Sequence, residues 1–145
     1  MKKLDTRLES EGAEFLVLGH LLLHRIAAYK SYTNMPGYDL VATDPQSHTF
    51  AKIQVKSRWR TGASGFPIRN FDCDFIVAAF LNRGSADGTQ LASSPTFYVI
   101  PVELISSLPQ GKVWNKVDIK KIPNLESYRD HWSQIKDFLS NKLPQ

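Results

Sequence analysis

Cysteine, long apolar runs and an excess of one charge are all scarce in this chain. Cys73 is the only cysteine among 145 residues, which excludes an intramolecular disulfide and a cysteine-based zinc cluster. The most apolar segment, residues 15–23, contains His20 and falls short of the roughly 18 uninterrupted apolar residues of a membrane span. Acidic residues at positions 5, 9 and 11 stand where a secretory signal needs an apolar run. We therefore expect a cytoplasmic protein without membrane contact.

The composition is sufficient for one folded domain. Apolar residues make up 42% and aromatic residues 11% of the chain, and a chain of this length buries about two-thirds of its surface on folding. No repeat, low-complexity segment or linker interrupts residues 1–145. The sequence predicts a single α/β domain that runs from a first helix through three or four strands to a closing helix.

Apolar residues at helical spacing predict two long helices that pack against the sheet. The first covers residues 4–29, and its predicted buried stripe consists of Leu4, Leu8, Phe15, Leu22 and Ile26. The second covers residues 124–140 and begins at Asn124 as its N-cap. Its predicted apolar face consists of Leu125, Tyr128, Trp132, Ile135 and Leu139.

Shorter apolar segments predict the strands between these helices. Residues 38–43 and 49–57 flank the turn-forming sequence at 44–47 and are expected to form a hairpin. Residues 74–81 and 97–101 are apolar enough for buried strands, and residues 113–122 are expected to form a late edge strand. Residues 61–70 and 82–95 are expected to be loops, and residues 102–107 a short helical turn.

The predicted hairpin brings three chemically useful side chains together. Residues alternate in direction along a strand, so Gln54 and Lys56 share one face while Ile53 and Val55 share the other. Asp39 opens the preceding strand and can approach both at one end of the hairpin. A carboxylate, an amide oxygen and a lysine at one place suit a hard divalent cation, a phosphate and its attacking water. Each residue also has a simpler explanation, such as a strand-entry hydrogen bond for Asp39.

A basic segment follows in the same region. The chain carries 18 Lys and Arg against 14 Asp and Glu, a net charge of +4. Residues 52–69 contain no acid and five of the basic residues: Lys52, Lys56, Arg58, Arg60 and Arg69. This segment forms either a phosphate-facing surface or a solvated basic loop. Trp59, between two arginines, either stacks on a base or sugar or belongs to the core.

The order of these residues resembles a known family. Glu14 in the first helix, Asp39 in Gly-Tyr-Asp-Leu-Val, and Gln54 and Lys56 in Ile-Gln-Val-Lys resemble the PD-(D/E)xK nuclease superfamily. That superfamily includes restriction endonucleases, Holliday-junction resolvases and some homing endonucleases. The likeness covers residues 12–58 and extends through the next apolar strand to about residue 81. It implies a restriction-endonuclease-like αβββαβ core, with a mixed central sheet flanked by helices.

The resemblance also implies a role for each residue. Asp39 matches the metal-binding aspartate, Lys56 the catalytic lysine, and Glu14 the first-helix glutamate that contacts metal or water. The carbonyl of Val55 matches a further metal contact. Gln54 stands where the second acid usually is, and its uncharged amide oxygen predicts weaker metal affinity. Glu11 lies closer to the predicted helix stripe than Glu14 and is a rival for the helix carboxylate.

These roles predict an endonuclease that hydrolyses DNA phosphodiesters with Mg²⁺, for which Mn²⁺ substitutes. Duplex or branched DNA is the expected partner, with Lys52, Arg58, Trp59, Arg60 and Arg69 as the binding residues. A homodimer is expected because cutting two strands with one site per chain is simplest with two-fold symmetry. The alternative is an inactive nucleic-acid-binding or interaction module on the same fold.

Other candidate sites are weaker. His20 and His24 are four residues apart, but no HExxH glutamate lies between them, so a structural role is expected. Cys73 has no neighbouring histidine in the sequence and is expected to be an inert buried thiol. No glycine-rich nucleotide-binding loop is present. We therefore expect no organic cofactor.

Overall fold

The computed structural model describes residues 5–31, 37–111 and 116–141. Its helices are α1 (Thr6–Leu23), α2 (Val102–Ser106) and α3 (Ser133–Asn141), with 3₁₀ turns at Ile119–Lys121 and Leu125–Tyr128. Its strands are β1 (Ala27–Lys30), β2 (Leu40–Asp44), β3 (Thr49–Arg58), β4 (Gly65–Pro67), β5 (Phe75–Phe80), β6 (Thr96–Pro101) and β7 (Lys116–Asp118).

Five strands form a mixed central sheet in the order β1-β2-β3-β5-β6. Strands β3 and β5 are parallel, and the other neighbours are antiparallel. The predicted hairpin is present as β2 and β3, and its turn is held by Asp44, whose carboxylate accepts from the Ser47 hydroxyl at 2.9 Å. The predicted mixed α/β domain with flanking helices is therefore confirmed.

The connection between β3 and β5 differs from the αβββαβ order, which would place a helix there. Residues 59–74, all of them described, contain the short strand β4 and no helix. Gly62, Gly65 and Pro67 interrupt any helical periodicity in this segment. Strand β4 pairs with β7 in a separate two-stranded sheet, so this connection forms a wall beside the end of β3.

The first helix is shorter than predicted. It ends at Leu23, and residues 27–29, expected to be the end of the helix, belong instead to strand β1. Arg25 has φ 63°, and the Ile26 N–H donates to the Leu21 carbonyl at 2.9 Å. This is a Schellman ending with arginine in the left-handed position usually taken by glycine. Because a side chain there is uncommon, apolar periodicity alone did not reveal the stop.

The buried face of α1 is also different from the predicted stripe. Ala13, Val17 and Leu21 are fully buried, whereas Leu8, Phe15 and Leu22 are 74%, 54% and 50% exposed. Ile26 is buried but lies beyond the helix, and Leu4 lies outside the described residues. The helix packs on the sheet face that carries a row of three small residues, Ala28, Ala42 and Ala51. Small side chains on the sheet leave room for α1 to pack there, and Ala13 and Val17 belong to the same apolar cluster.

The C-terminal predictions also need correction. Residues 124–140 form a 3₁₀ turn and the separate helix α3, because the chain turns through Asp130 at φ 51°. Asn124 has φ 57° and makes no side-chain capping bond, so it is not a helix N-cap. Trp132, Ile135 and Leu139 are buried as predicted. Of the predicted edge strand at 113–122, the described part forms β7 and a 3₁₀ turn; residues 113–115 lie outside it.

Two apolar clusters cover the two faces of the sheet. One lies beneath α1 and α3 and includes Val17, Ile53 and Trp132. The other lies on the opposite face and includes Phe66, Ile76 and Ile105. Strand β3 lies between the two clusters, and the residues at its end, 55–58, are only partly buried. Among the described residues, no helix has the length and apolar character needed to cross a bilayer.

Neighbouring leucines test which face of α1 is buried. Leu21→Ala should lower the free energy of unfolding by about 2–5 kcal/mol, because it empties fully buried volume. Leu22→Ala, on the exposed side of the same turn, should lower it by less than about 0.5 kcal/mol. Urea denaturation at low protein concentration measures both variants. Equal losses would contradict the observed packing of α1.

Candidate active site

A cleft of about 920 Å³ opens at the end of β3. The N-terminal half of α1 forms one wall, with Glu9 and Glu14 facing the opening. The segment from the end of β3 to residue 70 forms the other wall. Asp39, Gln54, Val55 and Lys56 line the space between them. The residues singled out in the hairpin are therefore brought together with the helix glutamate.

Asp39 is positioned by an irregularity at the start of β2. Leu40 is the ladder partner of Ile53, and the Asp39 N–H also donates to the Ile53 carbonyl at 2.8 Å. Two successive residues thus oppose one, as in a β-bulge, which redirects a side chain out of strict alternation. The Asp39 carboxylate accepts from the Val55 N–H at 2.8 Å. The bulge therefore fixes the carboxylate against the backbone of β3.

Gln54 is held by its amide nitrogen. Its Nε2 donates to the Gly37 carbonyl at 2.9 Å and to the Asn70 carbonyl at 3.1 Å. Two carbonyl acceptors identify that atom as nitrogen, so the orientation of the amide is determined. Its Oε1 is buried and has no hydrogen-bond partner among the residues that the structure describes. A buried acceptor without a donor is costly unless something else binds it, and a cation is one such group.

Lys56 lies beside Asp39 on the floor of the cleft. Burial lowers the pKa of Lys56, and the Asp39 carboxylate opposes part of that effect while Arg69 adds to it. A lysine in such surroundings loses its proton more readily than an exposed one. The position therefore suits a residue that orients or deprotonates a water molecule near a phosphate.

The structure distinguishes the two candidate helix glutamates. The Glu14 side chain is 15% exposed and lines the cleft, while the Glu11 side chain is 56% exposed. Burial raises the pKa of Glu14, and the negative charge of Asp39 raises it further. Glu14 and Asp39 are thus close enough to influence each other, which favours Glu14 over Glu11 as the cleft carboxylate.

Lys30 is a site residue that the sequence did not indicate. It ends β1 with its side chain buried, and its Nζ lies 2.5 Å from Glu11 and 3.5 Å from Glu14. Burial acts against the charge of Lys30, but the hydrogen bond to Glu11 and the nearby Glu14 outweigh it and raise the pKa. Lys30 therefore bridges the two glutamates and holds Glu14 in place. Lys30 is two residues after Ala28, so in a strand both side chains lie on the same face, and Ala28 packs against the core. Recognising β1 as a strand would therefore have predicted that Lys30 is buried.

The oxygen atoms of the cleft fit a hard divalent cation. Asp39 and Glu14 line the cleft with carboxylates, and Gln54 has an Oε1 with no hydrogen-bond partner among the described residues. Val55, whose carbonyl is the remaining predicted ligand, also lines the cleft. Burial also raises the pKa of Asp39, partly offset by the Val55 N–H, Lys56 and Lys30. The ionised form of both carboxylates is therefore disfavoured by burial, and a cation would stabilise it. Clusters of three or more His, Cys, Asp or Glu side chains able to hold a metal are absent from the described residues, so any site depends on the amide and the carbonyl.

Most of the predicted nucleic-acid-binding residues lie on the other wall. Arg58, Trp59, Arg60 and Arg69 line the cleft. Trp59 is 38% exposed, so it is not a core residue. Lys52 is not among the residues that line the cleft; its Nζ lies 3.9 Å from Asp72 and 5.4 Å from the centre of the Tyr38 ring. The wall thus combines three guanidinium groups with an accessible aromatic ring.

The remaining candidates, His20 and Cys73, pack against or within the apolar part of the molecule. The ring of His20 stacks on Trp132, with centroids 5.2 Å apart, and burial lowers its pKa. Cys73 is buried, and its surroundings raise the pKa of the thiol to about 12, first by desolvation and then by Asp74. A thiol with such a pKa is neither a nucleophile nor a metal ligand at neutral pH.

Comparisons with known proteins show a likeness at the level of the fold. No protein-family model and no curated protein sequence matches the chain. Among solved structures, it is similar to "a bacterial homing endonuclease: I-Ssp6803I", with a TM-score of 0.59 over 94% of this chain and 96% of that chain. The sequences are 22% identical. The two chains therefore share an architecture over nearly their whole lengths.

The raised pKa of Asp39 predicts an unusual effect of its neutralisation. Because burial raises the pKa of Asp39, its ionisation lowers the free energy of unfolding. This loss of stability is absent below the ordinary aspartate pKa near 4 and complete above the raised pKa. In EDTA, Asp39→Asn should be more stable than wild type at pH 7.5, because the amide oxygen still accepts from Val55. The gain should disappear as the pH falls toward 4, as measured by thermal unfolding across that range.

Asp44 provides a control of opposite sign. Hydrogen bonds from Ser47 lower its pKa, so its ionised form favours folding. Asp44→Asn should be less stable than wild type at pH 7.5, and the difference should shrink as the pH falls through the lowered pKa. If both variants lose stability at neutral pH, Asp39 does not carry an unfavourable charge.

Proposed function

We propose that this chain is a divalent-metal-dependent DNA endonuclease of the PD-(D/E)xK type. The observation that carries the proposal is the arrangement of the cleft: Asp39 and Lys56 lie between its walls, Glu14 approaches Asp39 from the α1 wall, and arginines line the opposite wall. An acidic floor suits a cation, and a basic wall suits the phosphates of the substrate. The fold shared with a bacterial homing endonuclease supports this function.

Asp39, Glu14, the Gln54 Oε1 and the Val55 carbonyl would hold Mg²⁺ or Mn²⁺. When bound, such a cation lowers the pKa of a coordinated water and offsets charge on the phosphoryl oxygens. Lys56 orients the attacking water, accepts or directs its proton, and stabilises the additional negative charge of the transition state. Lys30 keeps Glu14 in the cleft through their 3.5 Å ion pair.

The arginine wall positions the substrate. Arg58, Arg60 and Arg69 bind backbone phosphates, since guanidinium groups match their geometry. Trp59 stacks on a sugar or base that enters the cleft. Because phosphate contacts release counterions, DNA affinity should fall steeply as the salt concentration rises.

A second candidate, DNA binding without cleavage, has one observation in its favour. The Gln54 amide nitrogen joins Gly37 to Asn70, which is a structural task that a glutamate could not perform. A chain in which Gln54 serves only to fix these segments would retain the arginine wall and lack a working cation site.

Incubation with supercoiled plasmid separates these candidates. The nuclease should convert the plasmid to nicked or linear forms with Mg²⁺ or Mn²⁺, and EDTA should stop the reaction. Salt-dependent retention of the plasmid without any cleavage, in either metal, would favour the binding module. Absence of both cleavage and binding would indicate a protein-interaction module and overturn the proposal.

A further inference from the structure

The most exposed apolar surface of the described chain lies along α1. Five of the nine exposed large hydrophobic residues belong to this helix, and Leu8 and Leu23 are 74% and 81% exposed. We define the α1 outer face by six residues: Leu8, Gly12, Phe15, Leu16, Gly19 and Leu23. At 100° per residue they lie within about 50° of a common direction, roughly 150° from the buried Ala13, Val17 and Leu21. The helix therefore carries apolar residues on two opposite sides. The sheet packs against one of them, and on the other the Lys30 Nζ of β1 lies 4.3 Å from the centre of the Phe15 ring at the margin of the face.

The α1 outer face shows the same order of residue types from either end of the helix: a leucine, a glycine, then a large apolar residue. Leu8 and Leu23, Gly12 and Gly19, and Phe15 and Leu16 are three pairs of positions symmetric about the point between residues 15 and 16. A surface that binds a copy of itself across a two-fold axis has to match itself when the direction is reversed. An antiparallel pair of α1 helices satisfies this requirement, whereas an unrelated partner would impose no such symmetry.

The packing of the described residues does not require a glycine at either glycine position of this face. A Cβ atom at Gly12 or Gly19 would meet nothing within 4 Å, and each glycine in a helix interior costs about 1 kcal/mol relative to alanine. In the antiparallel pair, Gly12 of one copy lies level with Gly19 of the other. Their lack of side chains lets the two backbones approach closely at both points.

The helix dipoles favour the antiparallel direction. Antiparallel pairing opposes the dipoles of the two α1 helices, whereas parallel pairing aligns them. The acidic side chains of α1 do not enter this comparison, because Glu14 lines the cleft and Glu11 is paired with Lys30.

We infer that the α1 outer face is the surface through which two copies of this chain form a two-fold dimer. Three α1 residues of the cleft, Thr6, Ser10 and Glu14, lie about 130–170° from the centre of the α1 outer face, and Glu9 lies at its margin, so pairing leaves the cleft open. The helix is about 27 Å long and about 10 Å wide, smaller than the roughly 800 Å² per partner of a standard interface. A dissociation constant in the micromolar range is therefore expected. The inference does not depend on cleavage chemistry and is tested without DNA.

Sedimentation equilibrium of the full chain measures the association. Wild type should be dimeric well above micromolar concentration. Leu8→Gln combined with Leu23→Gln should raise the dissociation constant about 100-fold or more, since four leucines leave the interface of each dimer. Leu91→Gln is the matched control, because Leu91 is 84% exposed and lies outside α1. A monomeric wild type, or a dimer unaffected by the double change, would overturn the inference.

Disulfide formation tests the direction of the pair. An oxidised mixture of Gly12→Cys and Gly19→Cys chains should give a crosslinked dimer, since these positions face each other across the pair. Either variant alone should give none, because identical positions are about 10 Å apart along the helix, beyond disulfide reach. The buried Cys73 leaves wild type as the control. Crosslinking by Gly12→Cys alone would contradict the antiparallel arrangement.

Discussion

Replacing Lys56 with alanine should reduce the rate of DNA cleavage by about 10²- to 10³-fold while most of the DNA affinity remains. Lys56 lies on the cleft floor beside Asp39, where charge develops as the phosphate is attacked. Its contribution is therefore made mainly in the transition state. The arginines of the wall are unchanged, so ground-state binding continues. Single-turnover cleavage and fluorescence anisotropy measure the two effects separately.

Lys52→Ala is the matched control for this experiment. Lys52 is on the same strand and also carries one positive charge, but it lies outside the cleft lining beside Asp72. Its loss should change the cleavage rate less than about threefold, as expected for an exposed charge. If the two variants weaken DNA binding equally and neither changes the cleavage rate, the basic surface only binds DNA and Lys56 has no chemical role.

The hairpin could be predicted because its signals are local. Alternation over residues 51–58 and a turn at 44–47 are sufficient to place Asp39 near Gln54 and Lys56. The bulge at Asp39 could not be predicted, because it depends on a hydrogen bond from the Asp39 N–H to the Ile53 carbonyl. The pattern of apolar and polar residues does not indicate such a bond. The sequence thus predicted which groups meet, while their orientation depends on backbone bonds that the sequence pattern does not reveal.

The errors at α1 have a different origin. Periodicity detects an apolar stripe but does not show what covers it, so it predicts that Leu8 and Phe15 are buried although both face outward. The row of alanines that receives Ala13 and Val17 belongs to other strands and is not visible in the helix sequence. Lys30 was missed for a related reason, since residues 27–29 were assigned to the helix before it.

Removing the charge of Asp39 should abolish cation binding as well as cleavage. Mg²⁺ bound only by the folded state stabilises it by about 2.7 kcal/mol at a concentration 100 times its dissociation constant. Wild type should therefore show a higher melting temperature with Mg²⁺ than with EDTA, and Asp39→Asn should show no such increase. Calorimetric titration should show the same loss. This readout does not require activity, so it tests the cation site separately from the chemistry.

Gln54→Glu should have opposite effects in the absence and presence of Mg²⁺. In EDTA, a carboxylate oxygen would replace the Nε2 that donates to the carbonyls of Gly37 and Asn70. Two lost hydrogen bonds and the repulsion of facing oxygens should lower the free energy of unfolding by about 2–4 kcal/mol. With Mg²⁺, the added charge faces the cation, so the increase in melting temperature should exceed that of wild type.

The three proteins together decide whether a cation binds at this cleft. A cation site requires the Mg²⁺-dependent stabilisation to rank Gln54→Glu above wild type and wild type above Asp39→Asn. A basic surface without a cation site predicts the same small response in all three, since Mg²⁺ would then act only by screening charge. Asp44→Asn serves as the control, because it removes a carboxylate from the β2–β3 turn, away from the cleft lining. Its response should equal that of wild type. A lost response in Asp44→Asn would place the binding of Mg²⁺ elsewhere.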